Sequence, residues 1–201
     1  MLIRFLASIL IAYLLGSLSG SIITSKVFFK SDIRSKGSGN AGMTNSLRVY
    51  GVGAAISTIF IDVIKSVLAV LLGNVLCGVN GIILAGAGVM LGHAFPIYFG
   101  FKGGKCVLCI AVVGSFVSWQ TVLIAVAAFA IIMICTRIVS ASSCGAMVTA
   151  IVAACLLNLE SNKLIFIIVA CTFVIFMHRS NIIRIINKTE KKITVKGGPK
   201  K

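Results

Sequence analysis

Three short polar segments of this chain carry the residue types that bind phosphate groups, and each lies beside a long apolar run. They are rich in Gly, Ser, Asn, Lys and Arg, whose backbone N–H groups, hydroxyls, amides and cationic side chains hold anions. Asp and Glu together number only four among 201 residues, which leaves few carboxylates to hold a metal ion. The three segments are residues 37–48, 92–105 and 137–143.

The first segment combines closely spaced glycines with polar side chains. The backbone N–H groups of such glycines can form a concavity that binds an anion. An arginine at its end adds a fork that suits a phosphate or a carboxylate. A flexible connector is the alternative, but the density of Ser, Thr and Asn favours binding. The candidate residues are Ser38, Gly39, Asn40, Asn45 and Arg48.

The second segment places two glycines and a lysine directly before an apolar run. Gly103, Gly104 and Lys105 therefore resemble a phosphate site at the N-terminus of a helix. The upstream glycine and the Ser or Thr of a nucleotide-binding P-loop are missing, which argues against a nucleoside triphosphate site of that kind.

The third segment and the end of the last apolar run supply hydroxyls, a histidine and an amide. Ser142 and Ser143 can donate hydrogen bonds to a substrate. His178 lies where the chain leaves the last apolar run, and Asn181 shares its face if the helix continues. An interfacial structural role for His178 is the alternative.

Two charged residues, Asp62 and Lys65, lie inside an apolar run at i, i+3 spacing. Charges in a membrane span are costly and usually face the interior of the bundle. We interpret the two as a structural ion pair, because the chain has too few ionisable residues for a proton path. Its seven scattered cysteines indicate neither a metal nor a redox site, and the sequence predicts no cofactor.

The composition is that of an integral membrane protein, with a mean hydropathy of +1.11 and 59% hydrophobic residues. The uncharged run at 106–136 would form a helix of about 45 Å, against a hydrocarbon core of about 30 Å, so we divide it near residue 118. The sequence thus predicts an all-α bundle of about seven transmembrane helices; five spans with re-entrant segments is the alternative. The predicted spans are 2–24, 49–79, 81–100, 106–117, 119–136, 144–159 and 164–177.

Lysine and arginine cluster in alternate connections, and such residues mark the cytoplasmic side. With seven spans, all three polar segments face the cytoplasm, together with the C-terminus, whereas the N-terminus lies outside. We expect a single membrane domain over 1–190 and a basic cytoplasmic tail over 191–201 that contacts membrane lipid weakly.

Taken together, the motifs resemble the bacterial acyl-phosphate:glycerol-3-phosphate acyltransferases, the PlsY-type membrane enzymes. The order and spacing of the motifs carry the resemblance, which covers nearly the whole chain. The matching stretches are Gly16-Ser17, residues 32–48, Asp62 with Lys65, Gly92-His93-Ala94-Phe95-Pro96, Gly103-Gly104-Lys105, residues 137–143 and His178-Arg179-Ser180-Asn181 running on to Glu190.

The resemblance implies a reaction and a place for it. The family moves a fatty acyl group from acyl phosphate to the sn-1 hydroxyl of glycerol 3-phosphate, which gives lysophosphatidic acid and inorganic phosphate. It implies a bacterial cell membrane, an active site on the cytoplasmic face, a functional link to an enzyme that makes acyl phosphate, and no nucleic acid. By position, Ser38, Arg48, His178 and Asn181 are catalytic, Gly103, Gly104 and Lys105 bind glycerol 3-phosphate, and Glu190 is structural.

Two points stay open at this level. The family usually continues Gly-Gly-Lys-Gly, whereas this chain has Cys106, whose Cβ is unfavourable if the position needs a positive φ. The base is either His178 or a phosphate oxygen of the substrate, because no Asp is evident to orient the ring. Alternatives to an enzyme are a transporter of a phosphorylated solute, although no internal repeat is found, and a lipid-binding scaffold.

Overall fold

The computed structural model describes residues 1–193, and all regular structure within them is helical. The described residues divide into two compact units, 1–113 and 114–193. The helices are α1 (Leu2–Gly16), α2 (Gly20–Phe29), α3 (Met43–Tyr50), α4 (Val52–Ala94), α5 (Val107–Val117), α6 (Trp119–Thr136), α7 (Val139–Leu156), α8 (Ser161–Met177) and α9 (Arg179–Ile186).

The all-α class predicted from the sequence is confirmed, and its helices are of membrane type. Among the described residues, four helical stretches are long and apolar enough to cross a membrane, or five if α8 and α9, which meet at a 59° bend, count as one span. Helix α5 has 11 residues and extends about 16 Å, well short of the hydrocarbon core. The predicted tail is described only as far as Ile193; residues 194–201 lie outside the described part.

Helix α4 reverses direction in its middle. Cys77 (φ −147°, ψ 18°) and Gly78 (φ 59°, ψ −144°) have non-helical dihedral angles. In a straight helix, Gly73 and Ala85 would lie about 18 Å apart along the axis. Instead, a Cβ built on Gly73 lies 2.6 Å from the Cβ of Ala85. The two arms of α4 therefore pack side by side, in agreement with the boundary at residue 80 predicted from the sequence.

Helix α1 packs closely on the second arm of α4. A Cβ built on Gly88 would lie 2.6 Å from the carbonyl oxygen of Ile9 and 3.0 Å from the Cβ of Ala12. A Cβ built on Gly16 would overlap the backbone of Val89 in the same way. Small residues at these contacts let the two backbones approach, which is the usual way in which membrane helices associate.

The break between α1 and α2 leaves backbone groups that need partners inside the membrane domain. Two side chains of α4 supply them. The Lys65 ammonium donates to the carbonyl oxygen of Leu18 at 2.9 Å, and the N–H of Gly20 donates to Asp62 Oδ1 at 3.1 Å. Lys65 and Asp62 also form a buried ion pair of 2.7 Å. The pair thus holds the broken first helix against α4.

In the second unit, α7 packs against α6, α8 and α9. Ser118 caps α6 by accepting the N–H of Thr121, and Arg137 ends the helix in the left-handed region at φ 57°. Helix α7 begins at Val139. The segment 137–143, expected as a loop, is therefore mostly the first turn and a half of a helix.

Candidate active site

Asn45 organises the first polar segment. Its Oδ1 accepts the N–H of Ser38 at 2.9 Å, and its Nδ2 donates to the carbonyl oxygens of Lys36 and Asn40 at 3.0 and 3.1 Å. The side chain is only 1% exposed. Gly37 has φ 64°, and a Cβ there would overlap Asn45 Oδ1. Asn45 thus shapes the segment, with its amide engaged by the backbone.

The polar side chains of this segment that lie exposed on the surface are those of Ser38 and Arg48. Ser38 lies between two glycines of positive φ, Gly37 and Gly39. Arg48 lies on α3, a separate short helix that ends at Gly51 (φ 87°), and not at the start of the following span as we expected. A hydroxyl and a guanidinium are therefore presented by a rigid turn and a short helix.

Arg34, just before the first polar segment, joins this part of the chain to the second polar segment within the same unit. Its guanidinium donates to the carbonyl oxygens of Phe99 and Lys102 at 2.5 and 3.1 Å. It also forms an ion pair of 2.8 Å with Asp32. Hydrogen bonds from Arg34 lower the pKa of the Asp32 carboxyl below its usual range. The two segments that carry the candidate cations are thus tied together by one arginine.

The glycine pair of the second segment is packed against the end of α4. Gly103 and Gly104 donate their N–H groups to the carbonyl oxygens of Ala94 and His93, both at 3.0 Å. A Cβ on either residue would overlap this backbone or the ring of His93. These glycines are therefore needed for close packing, and their N–H groups are used within the protein. Lys105 follows them and is half-buried.

Cys106 has φ 63°, so the left-handed backbone that the family's glycine would adopt freely is present here with a side chain. The residue is 1% exposed, and its thiol donates to the carbonyl oxygen of Met90 at 3.1 Å. The Cβ and the sulfur thus point into the unit, towards α4. Cys106 in place of glycine therefore strains the backbone, but its side chain lies in the protein interior.

Ser142 and Ser143 lie in the first turns of α7 and are fully buried. Each donates its hydroxyl hydrogen to a carbonyl oxygen four residues earlier, Ile138 at 3.0 Å and Val139 at 2.9 Å. A hydroxyl that donates in this way still has oxygen lone pairs that can accept a hydrogen bond.

His178 lies at the bend between α8 and α9, where the helix does not continue straight. Its Nδ1 is 2.8 Å from the carbonyl oxygen of Val174. A carbonyl can only accept, so Nδ1 carries the hydrogen and the neutral ring has its lone pair on Nε2. Asn181 donates its N–H to the His178 carbonyl oxygen at 2.8 Å, so both predicted residues belong to one turn.

Glu190 joins two helices of the second unit. It accepts hydrogen bonds from Ser140 on α7 at 2.9 Å, and from Asn181 at 2.5 Å and Arg184 at 2.6 Å on α9. Burial of the carboxyl raises its pKa, but hydrogen bonds from Arg184, Asn181 and Ser140 outweigh this, so the pKa lies below its usual range. Glu190 fixes the amide of Asn181.

The comparison with known proteins decides the family. Residues 6–188, nearly the whole chain, match the sequence profile of one family, Glycerol-3-phosphate acyltransferase. This chain belongs to that family. A glycerol-3-phosphate acyltransferase of Thermoanaerobacter pseudethanolicus is 39% identical over 184 residues, which cover 92% of this chain and 93% of the relative. One from Bacillus velezensis is 40% identical over 187 residues, which cover 92% and 95%.

Solved structures extend this likeness to three dimensions. PlsY (YgiH), an integral membrane glycerol 3-phosphate acyltransferase in its glycerol 3-phosphate form, aligns with a TM-score of 0.88 at 31% identity, over 94% of this chain and 96% of that chain. Its lysophosphatidic acid form aligns with a TM-score of 0.85 at 30% identity, over 94% and 95%. Like these relatives, this acyltransferase-family chain is a multi-pass membrane protein.

The sequence did not reveal several residues that support the candidate acyltransferase site. Arg34, Ser140 and Arg184 each hold a candidate residue or its neighbours, and His93 packs under the glycine pair. Arg34 could have been suspected from its spacing to Asp32 in a turn. The others act across 6 to 50 positions of the chain, and no local pattern indicates such contacts.

Proposed function

We propose that this chain is a membrane acyltransferase that moves a fatty acyl group from acyl phosphate to the sn-1 hydroxyl of glycerol 3-phosphate. The products are lysophosphatidic acid and inorganic phosphate. The observation that carries the proposal is the likeness, over 94% of the chain, to an acyltransferase solved in its glycerol 3-phosphate form. The exposed hydroxyl of Ser38 and guanidinium of Arg48 support it, because phosphate binding needs such groups.

The chemistry is a single displacement at the acyl carbon. The glycerol hydroxyl oxygen attacks the carbonyl carbon, the ester bond forms, and the bond between that carbon and the phosphate oxygen breaks. Phosphate is a good leaving group, so the reaction does not require a covalent intermediate on the enzyme. The hydroxyl proton passes to a base, and negative charge that develops on the substrate is stabilised by fixed donors and cations.

The residues divide into those that meet substrate and those that shape the site. We assign Ser38, Arg48 and Lys105 to phosphate groups, with Gly39, Asn40, Gly103 and Gly104 as the backbone that presents them. Ser142 and Ser143 accept hydrogen bonds from the substrate. Asn181 is held by Glu190 to donate to it. Asn45 shapes the first segment and does not contact substrate itself, because its amide is already engaged by backbone groups.

His178 is proposed as the general base. The hydrogen bond from its Nδ1 to the carbonyl oxygen of Val174 leaves the Nε2 lone pair as the site of protonation. This orientation by a backbone carbonyl takes the place of the orienting carboxylate that the sequence lacks. The alternative base, a phosphate oxygen of the substrate, needs no particular tautomer of this ring.

The two assignments differ in what a substitution does to turnover. His178→Asn keeps a donor for Val174 but removes Nε2. If His178 is the base, kcat falls by about 10²–10⁴ with little change in the KM for glycerol 3-phosphate. A kcat within a few-fold of the unaltered enzyme contradicts the base assignment, and a raised KM with unchanged kcat assigns His178 to binding.

The orientation in the membrane is part of the proposal. We propose seven spans in the bacterial cell membrane, with the N-terminus outside and the catalytic segments and C-terminus in the cytoplasm, where acyl phosphate from a partner enzyme is supplied. The reversal of α4 at Cys77 and Gly78 supports counting its two arms separately.

In intact cells, an impermeant maleimide should add a label to Asn162→Cys but not to Ser35→Cys, with labelling of the unaltered chain subtracted as background. Labelling of Ser35→Cys instead contradicts the orientation.

A further inference from the structure

His93 lies near the end of α4, where the buried ion pair of the first unit meets the glycine pair of the second polar segment. Its side chain is buried, with 5% of the residue exposed. The ring has two different neighbours, the Lys65 ammonium on one side and the backbone of Gly104 on the other. It thus connects the interior of the unit to the candidate phosphate-binding segment 103–105.

The contacts of the Lys65 ammonium assign one tautomer to the neutral ring. An ammonium has three hydrogens and accepts nothing. Its three close partners are Asp62 Oδ1 at 2.7 Å, the carbonyl oxygen of Leu18 at 2.9 Å and His93 Nδ1 at 2.9 Å. Each hydrogen has one acceptor when Nδ1 presents its lone pair, and we assign the neutral ring this tautomer; Asp62 Oδ1 lies 3.6 Å from the same nitrogen. The hydrogen of the neutral ring lies on Nε2, the atom that faces Gly104.

The opposite edge of the ring packs against the glycine pair. The N–H of Gly104 donates to the backbone oxygen of His93 at 3.0 Å, and a Cβ built on Gly104 would overlap His93 Nε2. The Cys109 thiol is a further hydrogen-bond partner of the ring. Lys105 follows Gly104 directly, so the position of the ring also determines the backbone position of Lys105.

We propose that His93 is a positioning residue for the segment 103–105: fixed by the buried Lys65 ammonium, its ring holds Gly104 in place and thereby sets the affinity for glycerol 3-phosphate. The proposal rests on the proposed function for its substrate. His93 itself touches neither substrate in this assignment. Its loss should weaken binding of one substrate and leave the acyl-transfer step nearly unchanged.

The test compares His93→Asn with Ser66→Ala. Asparagine keeps an acceptor near the position of Nδ1 for Lys65 but removes the ring atoms that face Gly104. Ser66 is equally buried on α4, and its hydroxyl donates to the backbone oxygen of Asp62, away from the segment. Steady-state kinetics in lipid should show the KM for glycerol 3-phosphate raised at least about tenfold in His93→Asn, with kcat and the KM for acyl phosphate within about threefold. Ser66→Ala should show no such rise.

A second readout does not depend on enzyme activity. Cys106 adjoins the segment and is 1% exposed, and Cys171, in the other unit, is also 1% exposed. Mass spectrometry after maleimide treatment in detergent should show faster labelling of Cys106 in His93→Asn than in the unaltered chain, with Cys171 still protected. This labelling tests the positioning role even if the unaltered protein makes no lysophosphatidic acid, which would contradict the proposed function alone.

Other outcomes overturn the inference. An unchanged KM together with unchanged Cys106 labelling means that the ring does not hold the segment. A fall in kcat with both KM values raised means that the role of His93 is general and structural. If Cys171 also becomes labelled, the variant has unfolded, and the same measurements on His93→Gln, whose longer side chain fills more of the volume of the ring, give the decision.

Discussion

At the scale of single residues, the polar side chains of this protein divide by whether their hydrogen bonds are already made. Asn45 and Glu190 are saturated by partners within their own units and hold neighbouring groups in place. Ser38 and Arg48 are exposed and present their polar atoms to solvent. The resemblance gave Glu190 a structural role, whereas Asn45 was predicted to bind substrate like Ser38 and Arg48. The sequence shows residue type and spacing, but not which hydrogen bonds are already formed.

Cys106 allows a direct measurement of backbone strain. A residue with a Cβ costs about 1–2 kcal/mol in the left-handed region relative to glycine. Cys106→Gly removes that cost and the thiol contact with Met90, whereas Cys106→Ala removes only the contact. We therefore expect Cys106→Gly to be about 1 kcal/mol more stable than Cys106→Ala, and to retain enzyme activity. Thermal unfolding in detergent checks this; equal stability of the two variants would show that the position carries no strain.

Glu190 gives a prediction for the dependence of stability on pH. Its pKa is lower in the folded chain than in the unfolded chain, so its contribution is complete above the unfolded value, about 4.3, and is lost as pH falls through the lower folded value. Glu190→Gln should therefore reduce the free energy of unfolding by about 1–2 kcal/mol at pH 7, and this difference should shrink below about pH 4.

The control for this prediction is the other glutamate of the second unit. Glu160 pairs with Lys163 at 3.3 Å, but its side chain is 75% exposed. Exposed pairs contribute little, so Glu160→Gln should change stability by less than about 0.5 kcal/mol at any pH. A difference between Glu190→Gln and the unaltered chain that persists undiminished at low pH would contradict the ion-pair explanation.

At the scale of elements, the fold depends on helices that approach closely and on breaks that are satisfied by side chains. Hydropathy located the two arms of α4, because a turn between apolar runs leaves a short polar interval. It did not locate α3 or the start of α7, because short polar helices and loops have similar compositions. The break between α1 and α2 also went unpredicted, since it is held by Lys65 and Asp62, more than 40 positions along the chain.

The packing of α1 on α4 predicts that an alanine destabilises the protein at one glycine of α4 but not at another. Gly88→Ala places a Cβ against the Ile9 carbonyl oxygen and should destabilise the protein by about 1–3 kcal/mol. Gly53, in the same helix, has open space around a built Cβ. Gly53→Ala should be neutral or stabilise by up to about 1 kcal/mol. Thermal unfolding of both variants checks this, and equal effects would contradict the close contact.

At the scale of the whole molecule, composition and charge were the most informative properties of the sequence. A chain with such long uncharged runs and four acidic residues cannot bury those runs in a soluble fold. The polar segments between the runs therefore serve a purpose other than crossing the membrane. The family and the reaction were predicted from the motifs. The motifs did not predict which contacts hold each segment in place. Arg34 and His93 make these contacts in one unit and Glu190 makes them in the other, and they form only when the chain folds.

Transfer of an acyl group by this chain from acyl phosphate to glycerol 3-phosphate can be measured directly. The purified protein in lipid is given glycerol 3-phosphate with either acyl phosphate or acyl-CoA, and lysophosphatidic acid and inorganic phosphate are measured together. We expect equal amounts of both products from acyl phosphate, none from acyl-CoA, and strong loss of both in Arg48→Ala. A folded protein that forms no lysophosphatidic acid from acyl phosphate, or forms it only from acyl-CoA, would contradict the proposed function.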